Sequence, residues 1–280
     1  MTAYTVRAYA KINLYLDITG RRNDGYHEIE TVMQEISLGD DLVITIGGAP
    51  GIELSCSDYS IPTDQRNLCW MAAWAFYNAT KLPPTVNILL EKNIPHGAGL
   101  GGGSSDAAAV LRVLNLHYGC PLDEDALCRL ATSLGADVPF FLNGGTQICR
   151  GIGEQMTSIE PFPEKYYAVV MPDFTCPTGL AYGLYDKAPL PVYGGLERML
   201  TAGEDFPCRM YNVFQRLYAD ERIEEICKTL VTNGAEGAVL SGSGAAVFGV
   251  FGDKQKAQTA VGLCSGKMSG VFTPVSRISI

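Results

Sequence analysis

Hydrophobic and polar residues alternate strictly near the start of the chain, from residue 11 to residue 18. A period of two predicts a β-strand with one core face and one polar face. The polar face carries Lys11, Asn13, Tyr15 and Asp17. Asp24-Gly25 predicts a turn after it, followed by a strand-like run through residues 33–38 and another strand at 42–46.

Longer apolar patterns predict helices and buried strands in the rest of the chain. We expect helices at residues 67–78, after the glycine-rich stretch, and from the capping residue Asp123 to Gly135. Pro139 predicts a short loop at 135–139 with Val138 extended. Later segments predict a strand at 166–171, a helix after Thr178, helices at 211–218 and 223–230, strands around 239–251, a helix at 254–264 and a strand at 271–280. Residues 187–207 are weakly patterned.

Strands and helices mix in both halves without a regular strand–helix–strand rhythm, which predicts an α+β fold. The run Pro161-Phe162-Pro163 marks a candidate boundary. We therefore expect two domains, at residues 1–158 and 159–280.

A glycine-rich stretch between a predicted strand at 85–90 and a predicted helix is the clearest chemical signal. Five of the seven residues from 97 to 103 are glycine. Glycine costs ordering entropy, so such a run favours positive φ or a close approach to backbone N–H groups. A helix start offers N–H donors and a positive dipole end to an anion. The stretch predicts a phosphate site; a flexible turn capped by Ser104 or Ser105 is the alternative.

Composition narrows the function classes. The 280 residues carry a net charge of −9, which argues against nucleic acid or an anionic membrane as a partner. Nine scattered cysteines and three histidines show no spacing of a disulfide framework or a zinc site. The start of the chain has no apolar signal segment. We expect a soluble, cytoplasmic protein.

The glycine-rich stretch is similar to other nucleotide-binding motifs, but the surrounding sequence argues against them. Gly97, Gly99 and Gly102 match the dinucleotide fingerprint, but residues 121–123 begin another helix where a second parallel strand with an acidic residue is required. The Walker A and protein-kinase patterns are absent.

Three motifs together resemble the GHMP kinase superfamily. They are the glycine-rich stretch, Gly135-Ala136-Asp137-Val138-Pro139-Phe140, and the turn Ser241-Gly242-Ser243-Gly244. With Ala10-Lys11-Ile12-Asn13-Leu14 and Asp24-Gly25-Tyr26-His27, the chain resembles the branch whose substrate is 4-diphosphocytidyl-2-C-methyl-D-erythritol. Residues 211–214 depart from the family, which often has Asn-Asp-Leu-Glu there.

The resemblance implies a two-domain GHMP-kinase fold, with an N-terminal domain of the type found in RNA-binding ribosomal proteins and a ferredoxin-like C-terminal domain. It implies ATP and Mg²⁺ as cofactors, with Ser104 or Ser105 contacting Mg²⁺ and Ser105 taken as the candidate. The residues implied in ATP binding are Asn67, Pro95, His96, Gly97, Ala98, Gly99, Leu100, Gly101, Gly102, Gly103, Ser104, Ser105 and Asn115.

The same resemblance implies the chemistry. Asp137 would accept the proton of the substrate hydroxyl, and Lys11 would lie beside it and neutralise charge on the transferring phosphoryl group. The residues implied in substrate binding are Asn13, Tyr26, His27, Thr178 and Tyr182. Tyr26 and Tyr182 would stack on the cytosine and His27 would bond its edge. For Asp137 a turn residue, and for Tyr182 core packing, are the alternatives.

Three functions remain open from the sequence. An ATP-dependent kinase of the 2-hydroxyl of the cytidyl substrate, in non-mevalonate isoprenoid biosynthesis, is favoured, with another small-molecule GHMP kinase as its variant. A dinucleotide-dependent oxidoreductase rests on the glycine spacing alone. A non-catalytic binding module conflicts with the acidic charge.

Overall fold

The computed structural model describes residues 1–276. Its strands are β1 Thr2–Arg21, β2 His27–Ile46, β3 Gly51–Cys56, β4 Thr85–Glu91, β5 Thr146–Gly151, β6 Gln155–Ser158, β7 Tyr166–Met171, β8 Tyr211–Asn212, β9 Gly237–Leu240, β10 Val247–Phe251 and β11 Met268–Phe272. Its α-helices are α1 Leu68–Thr80, α2 Gly102–His117, α3 Glu124–Leu134, α4 Val138–Asn143, α5 Thr178–Lys187, α6 Leu196–Leu200, α7 Val213–Tyr218, α8 Glu221–Thr232 and α9 Lys254–Gly262. A 3₁₀ helix spans Gly203–Arg209.

The chain forms two compact units whose segments interleave. The first unit comprises Met1–Ala10, Leu38–His96 and Gly101–Asn143; the second comprises Lys11–Ser37, Gly97–Leu100 and the residues from Gly144 onward. The predicted domain boundary between residues 158 and 159 stays a prediction.

In the first unit, a sheet packs with helices. Its strands follow the order β3-β4-β2-β1, with β4 antiparallel to the end of β2 and parallel to β3. Helix α1 packs against α2, and α2 against α4. The buried apolar faces of these elements, including Phe76, Ile88 and Val110, are shielded from solvent. Burial of this kind stabilises by about 25 cal/mol per Å² of apolar surface.

The second unit contains two groups of strands. In one the order is β6-β5-β2-β1-β8, with β8 parallel to β1. The other is an antiparallel sheet with the order β11-β7-β10-β9. A buried cluster that includes Leu16, Val170, Phe214, Leu230 and Phe251 forms the core between strands and helices of this unit.

The polar face of strand β1 is buried, whereas the sequence predicted one core face and one polar face. Lys11, Asn13, Tyr15 and Asp17 are at most 3% exposed, so both faces are buried. Buried polar groups need hydrogen-bond partners, and these side chains have them. The polar positions of the alternation therefore mark an internal polar network.

Other boundaries were predicted with mixed success. The strand at 166–171 and the helices that begin after Asn67 and Asp123 are confirmed, and the helix expected after Thr178 begins at Thr178 itself. The segments at 33–38 and 42–46 are parts of one continuous strand, β2. The expected helix at 211–218 begins only at Val213, because residues 211 and 212 pair with β1. The strand expected at 271–280 is correct only at residues 271 and 272, because β11 ends at Phe272; residues 277–280 lie outside the described residues.

The loop predicted at residues 135–139 is wrong in its second half. Val138 is the first residue of α4 and Pro139 the second, so Val138 is not extended. Proline is accepted in the first turn of a helix, where its missing N–H has no intrahelical partner in any case. Asp137 consequently lies in the short turn between α3 and α4.

Candidate active site

Lys11 is the buried cation of the second unit's polar network. Its ammonium is on a side chain only 3% exposed and donates to Asn13 Oδ1 at 2.7 Å. The amide of Asn13 donates in turn to Thr31 Oγ1 at 2.8 Å, and the Thr31 hydroxyl donates to the carbonyl of Tyr15 at 2.5 Å. This chain of hydrogen bonds fixes the position of the Lys11 side chain.

The first half of the glycine stretch packs directly against this network. The backbone N–H of Lys11 donates to the carbonyl of Leu100 at 2.9 Å. The hydroxyl of Ser241 donates to the carbonyl of Gly99 at 3.1 Å and lies 3.4 Å from the N–H of Asn13. A methyl group at Gly242 would lie 3.4 Å from Lys11 Nζ. Three stretches far apart in sequence therefore meet here.

The turn at residues 241–244 is held from several sides. The Asn212 amide donates to the carbonyls of Leu240 and Gly242, at 2.8 and 2.9 Å. The Tyr218 hydroxyl donates to the carbonyl of Ser243, and the hydroxyls of Thr178 and Ser243 are 2.9 Å apart. Thr178 thus supports the turn, which is a role that sequence reasoning did not assign to it.

The second half of the glycine stretch forms the start of α2 in the first unit. Gly101 precedes the helix with φ 72°, and its position has no side-chain capping hydrogen bond among the described residues. The N–H groups of the first turn are therefore available to an anion. Ser104 and Ser105 lie inside the helix, so the expected alternative of a serine cap is wrong. Ser105 is buried.

Lys92 and two carboxylates form a buried ion cluster beside this helix start. The Lys92 ammonium pairs with Asp40, and with Asp106 at 2.8 Å. A methyl group at Gly102 would lie 3.2 Å from Lys92 Nζ and 2.9 Å from Ile94. Asp40 also accepts from the N–H groups of Asn93 and Ile94, at 2.5 and 2.8 Å. Through Asp40, the cluster holds the backbone of residues 93 and 94, which lead into the glycine stretch.

The charge balance of this cluster is unusual. Burial raises the pKa of Asp106 to about 7, against the opposing effect of the nearby Lys92 ammonium. Burial by itself would lower the pKa of Lys92, but the two carboxylates outweigh it and raise that pKa. Asp106 Oδ1 is buried and has no hydrogen-bond partner among residues 1–276. One cation faces two acids here, so a proton on Asp106 relieves an uncompensated negative charge.

The remaining residues predicted to bind ATP have varied surroundings. Asn67 caps α1 by accepting from the N–H of Cys69, and Asn115 bonds to both backbone groups of Leu122. The structure thus gives each asparagine a structural partner, and their contact with ATP stays a prediction. Pro95 is half-buried and His96 is exposed.

The two residues predicted to be catalytic belong to different units. Lys11 lies in the second unit and Asp137 in the first. Asp137 is half-buried in the turn before α4. Their expected proximity stays a prediction.

The predicted substrate residues Tyr26, His27 and Tyr182 lie in the second unit. Tyr26 is 61% exposed beside the Asp24-Gly25 turn, so its ring is accessible to a ligand. His27 stacks on Tyr182 with ring centroids 4.9 Å apart, and Tyr182 packs edge-on against Phe214 at 5.0 Å. Tyr182 therefore contributes to packing as well as to this aromatic group.

Sequence reasoning missed several residues around these groups, and only one had a usable signal. Asn212 accepts from the N–H groups of Phe214 and Gln215 at the start of α7, where a capping asparagine is recognisable. Lys92, Asp40 and Asp106 had no signal, because they are far apart in sequence.

Within residues 1–276, no group of three or more His, Cys, Asp or Glu side chains is placed to hold a metal ion. In the same range, no helix is long and apolar enough to cross a membrane.

Family models match both parts of the chain. The model of the GHMP kinases N terminal domain matches residues 67–145, and that of the GHMP kinases C terminal matches residues 194–267. Together they cover more than half of the chain, and the predicted α+β GHMP-kinase fold is confirmed.

Relatives and a solved structure are similar over nearly the full length. The 4-diphosphocytidyl-2-C-methyl-D-erythritol kinase of Clostridium novyi (strain NT) is 38% identical over 273 residues, covering 95% of this chain and 97% of that relative. That of Clostridium tetani (strain Massachusetts / E88) is 39% identical over 277 residues, covering 96% and 97%. A crystal structure of 4-(cytidine 5'-diphospho)-2C-methyl-D-erythritol kinase has a TM-score of 0.82 and 33% identity, covering 97% of this chain and 99% of that one.

Proposed function

The chain belongs to the 4-diphosphocytidyl-2-C-methyl-D-erythritol kinase family of the GHMP kinases, and on that premise we propose that it phosphorylates the 2-hydroxyl of this compound with ATP. The product is the 2-phosphate, an intermediate of non-mevalonate isoprenoid biosynthesis. The supporting observation is the meeting of Lys11, Gly99 and Ser241 in one hydrogen-bonded assembly.

Phosphoryl transfer depends on positioning and charge stabilisation. The uncapped start of α2 and the glycines before it offer backbone N–H donors to the triphosphate of ATP. Gly97 and Gly99 have φ of 68° and 77°, so the stretch adopts backbone conformations that other residues rarely reach. A methyl group at Gly97 would meet no heavy atom of the described residues within 4 Å, which leaves space for a ligand on that side.

The proposed reaction transfers the γ-phosphoryl group of ATP to the substrate, with Asp137 and Lys11 as the catalytic residues. The substrate's 2-hydroxyl oxygen attacks the γ-phosphorus of ATP, the bond from that phosphorus to the β–γ bridging oxygen breaks, and ADP leaves. Asp137 accepts the hydroxyl proton, and the Lys11 ammonium stabilises the negative charge on the transferring group. Asn13 orients Lys11 through its 2.7 Å hydrogen bond.

Mg²⁺ belongs to the proposal on chemical grounds. Ser105, in the first turn of α2, offers a hydroxyl, which is a hard oxygen ligand of the type Mg²⁺ accepts. Since no acidic or histidine cluster of three is present within residues 1–276, most ligands would come from the phosphates and water, as is usual for this ion. When bound, Mg²⁺ neutralises part of the phosphate charge.

The structure and the family membership argue against the two other functions, a dinucleotide-dependent oxidoreductase and a non-catalytic binding module. The glycine spacing lacks the context of a dinucleotide fold, because α2 is followed by α3 and not by a second strand. A non-catalytic module is excluded by membership in a family of kinases.

The test is a panel of alcohols incubated with ATP and Mg²⁺. Mass spectrometry should detect one added phosphoryl group on the cytidyl substrate, with kcat/KM at least a hundredfold above that for mevalonate or homoserine. A preference for another alcohol, or no phosphorylated product at all, would overturn the proposal.

A further inference from the structure

A cleft of about 570 Å³ opens on the second unit, beside strand β8. Its lining comes from the loop at residues 190–193, from β8 and the start of α7, and from β9. None of the described lining residues is among those proposed to bind ATP or the cytidyl substrate. The volume is within the range of small-molecule sites. The cleft is therefore a candidate site that the proposed reaction does not use.

The loop that forms one wall of the cleft is held by buried polar groups of β1. The Asp17 carboxylate, which is 1% exposed, accepts from the N–H of Tyr193 at 2.8 Å. The Tyr15 hydroxyl accepts from the N–H of Gly195 at 2.9 Å. The ring of Tyr193 stacks on that of Tyr211, with centroids 4.3 Å apart and an interplanar angle of 14°. This wall is formed before a ligand binds, which lowers the entropic cost of binding.

The charge of the cleft is opposite to that of the chain. The chain carries a net charge of −9, yet the described lining contains no acidic residue and one cation, Arg216. Arg216 is exposed and forms no ion pair within residues 1–276. A guanidinium presents a planar set of donors that matches a carboxylate. Tyr193, which is 50% exposed, offers an aromatic ring in the same cleft. The lining thus suits a ligand with a carboxylate and a flat apolar body.

Strand β9 adds one main-chain donor and one acceptor to the cleft. Residues of an antiparallel strand direct their N–H and C=O groups alternately toward and away from the neighbouring strand. The N–H and C=O of Leu240 point away from β10, because they bond to the side chains of Gln215 and Asn212. Ala238, two residues earlier, directs its groups to the same side and lines the cleft. Within the part of the chain that the structure describes, these groups of Ala238 make no hydrogen bond.

The open edge of β9 is too short to accept an added peptide strand. At one end, side chains already occupy the edge groups of Leu240. At the other end, Gly237 lies against the backbone of Pro207, where a methyl group would clash with the carbonyl. Strand addition depends on a run of main-chain hydrogen bonds, and only Ala238 remains between these two ends. The occupant that fits is therefore a small molecule.

We propose that this cleft binds a small planar aromatic carboxylate. Arg216 binds the carboxylate, the ring of Tyr193 packs against the aromatic body, and Ala238 offers a main-chain donor and acceptor to a further polar group. The ligand is neither of the substrates of the proposed phosphoryl transfer, so the site holds a third compound.

The test measures the binding of three probes by calorimetry: 2-naphthoate, its neutral analogue 2-naphthamide, and cyclohexanecarboxylate, which has the charge but no aromatic ring. Each titration is run with and without saturating ADP and cytidine 5'-diphosphate, which fill the proposed active site. The wild type should bind 2-naphthoate with a Kd of about 1 mM or lower. Its affinity for 2-naphthoate should be at least tenfold higher than for the other two probes and should not change when the nucleotides are present.

Variants assign the binding to the cleft. Arg216→Gln should weaken 2-naphthoate about tenfold and leave 2-naphthamide within twofold, because only the charged probe loses its partner. Tyr193→Ala should weaken 2-naphthoate about tenfold, whereas Tyr193→Phe keeps the ring and should stay within threefold of the wild type. Arg198→Gln is the matched control, since Arg198 is exposed and lies outside the described lining. Melting temperatures verify that each variant is folded.

Four results would overturn the inference. They are no binding of 2-naphthoate to the wild type, the same affinity in folded Arg216→Gln and Tyr193→Ala as in the wild type, displacement of the probe by the nucleotides, and a wild-type dimer in sedimentation that Tyr193→Ala converts to a monomer. Displacement would place the probe in the active site, and the dimer would mean that a second copy of the chain covers the cleft. Because binding is measured without turnover, the outcome does not depend on whether the chain phosphorylates the cytidyl substrate.

Discussion

Replacing Gly99 with alanine places a methyl group in the closest backbone contact of the candidate site. The added carbon would lie 2.2 Å from the carbonyl oxygen of Ser241 and 3.1–3.2 Å from backbone atoms of Gly244. Backbone atoms cannot swing aside as the end of a long side chain can. The turn at residues 241–244 must therefore move away from the glycine stretch.

A matched substitution separates this clash from the conformational cost. Gly97 and Gly99 both have positive φ, at 68° and 77°, but within the part of the chain that the structure describes the methyl group of alanine at Gly97 meets no heavy atom within 4 Å. Positive φ costs an L-residue about 1–2 kcal/mol, and overpacking adds about 1–3 kcal/mol. We expect Gly97→Ala to lower the free energy of unfolding by about 1 kcal/mol and Gly99→Ala by about 3–4 kcal/mol.

Urea denaturation measures both free energies, and turnover gives an independent check. Gly99→Ala should lower kcat at least tenfold, because the displaced turn packs against Lys11 and Asn13. Gly97→Ala should mainly raise the KM for ATP, since its methyl group occupies space proposed for the phosphates. Equal destabilisation by the two substitutions, or wild-type kcat in Gly99→Ala, would refute the proposed packing of the site.

Three further predictions concern the ion cluster and the base. Lys92→Met should lower the free energy of unfolding by about 3–5 kcal/mol in denaturant titrations, because it leaves Asp40 and Asp106 buried without a cation; a loss below 1 kcal/mol would contradict the cluster. Burial raises the pKa of Asp106 above its ordinary value of 3.8, so the folded state holds a proton there that the unfolded chain releases. The contribution of Asp106 to the free energy of unfolding should therefore fall as the pH rises from 4 to 8. Asp106→Asn should flatten that slope in unfolding curves recorded across this range, and an equally steep slope would disprove the assignment. Tyr26→Ala should raise KM for the cytidyl substrate about tenfold with kcat nearly unchanged, since base stacking contributes about 1–3 kcal/mol. Tyr59→Ala, at a tyrosine that is almost fully exposed, is the control, and a fall in kcat alone would exclude stacking.

The sequence predicted the helices and strands that are determined by capping residues and by local periodicity. The helix that starts after Asn67 and the one capped by Asp123 have side chains that bond to their own first turns, as expected for capping residues. The glycine stretch was placed correctly between β4 and α2, because strand and helix periodicities flank it. The family resemblance supplied the substrate, which no periodicity contains.

Features that depend on distant contacts could not be predicted. The alternation in β1 identified two faces but not that the face with Lys11 is buried, because its partners Thr31 and Ser241 lie far along the chain. Pro139 was taken to force Val138 into an extended conformation, although both residues lie in the first turn of α4, where a proline is compatible with a helix. The partnership of His27 and Asp186 joins residues 159 positions apart and has no local signal.

The central claim is that Asp137 and Lys11 carry out phosphoryl transfer from a nucleotide held by the glycine stretch. The most direct measurement is single-turnover formation of phosphorylated cytidyl substrate, followed by mass spectrometry, in the wild type and in Asp137→Ala and Lys11→Ala. Each variant should remain folded, bind ATP and form product at least about a hundredfold more slowly, as the loss of a positioned acid–base or charge-stabilising group predicts. A folded variant that forms product at the wild-type rate would contradict the account.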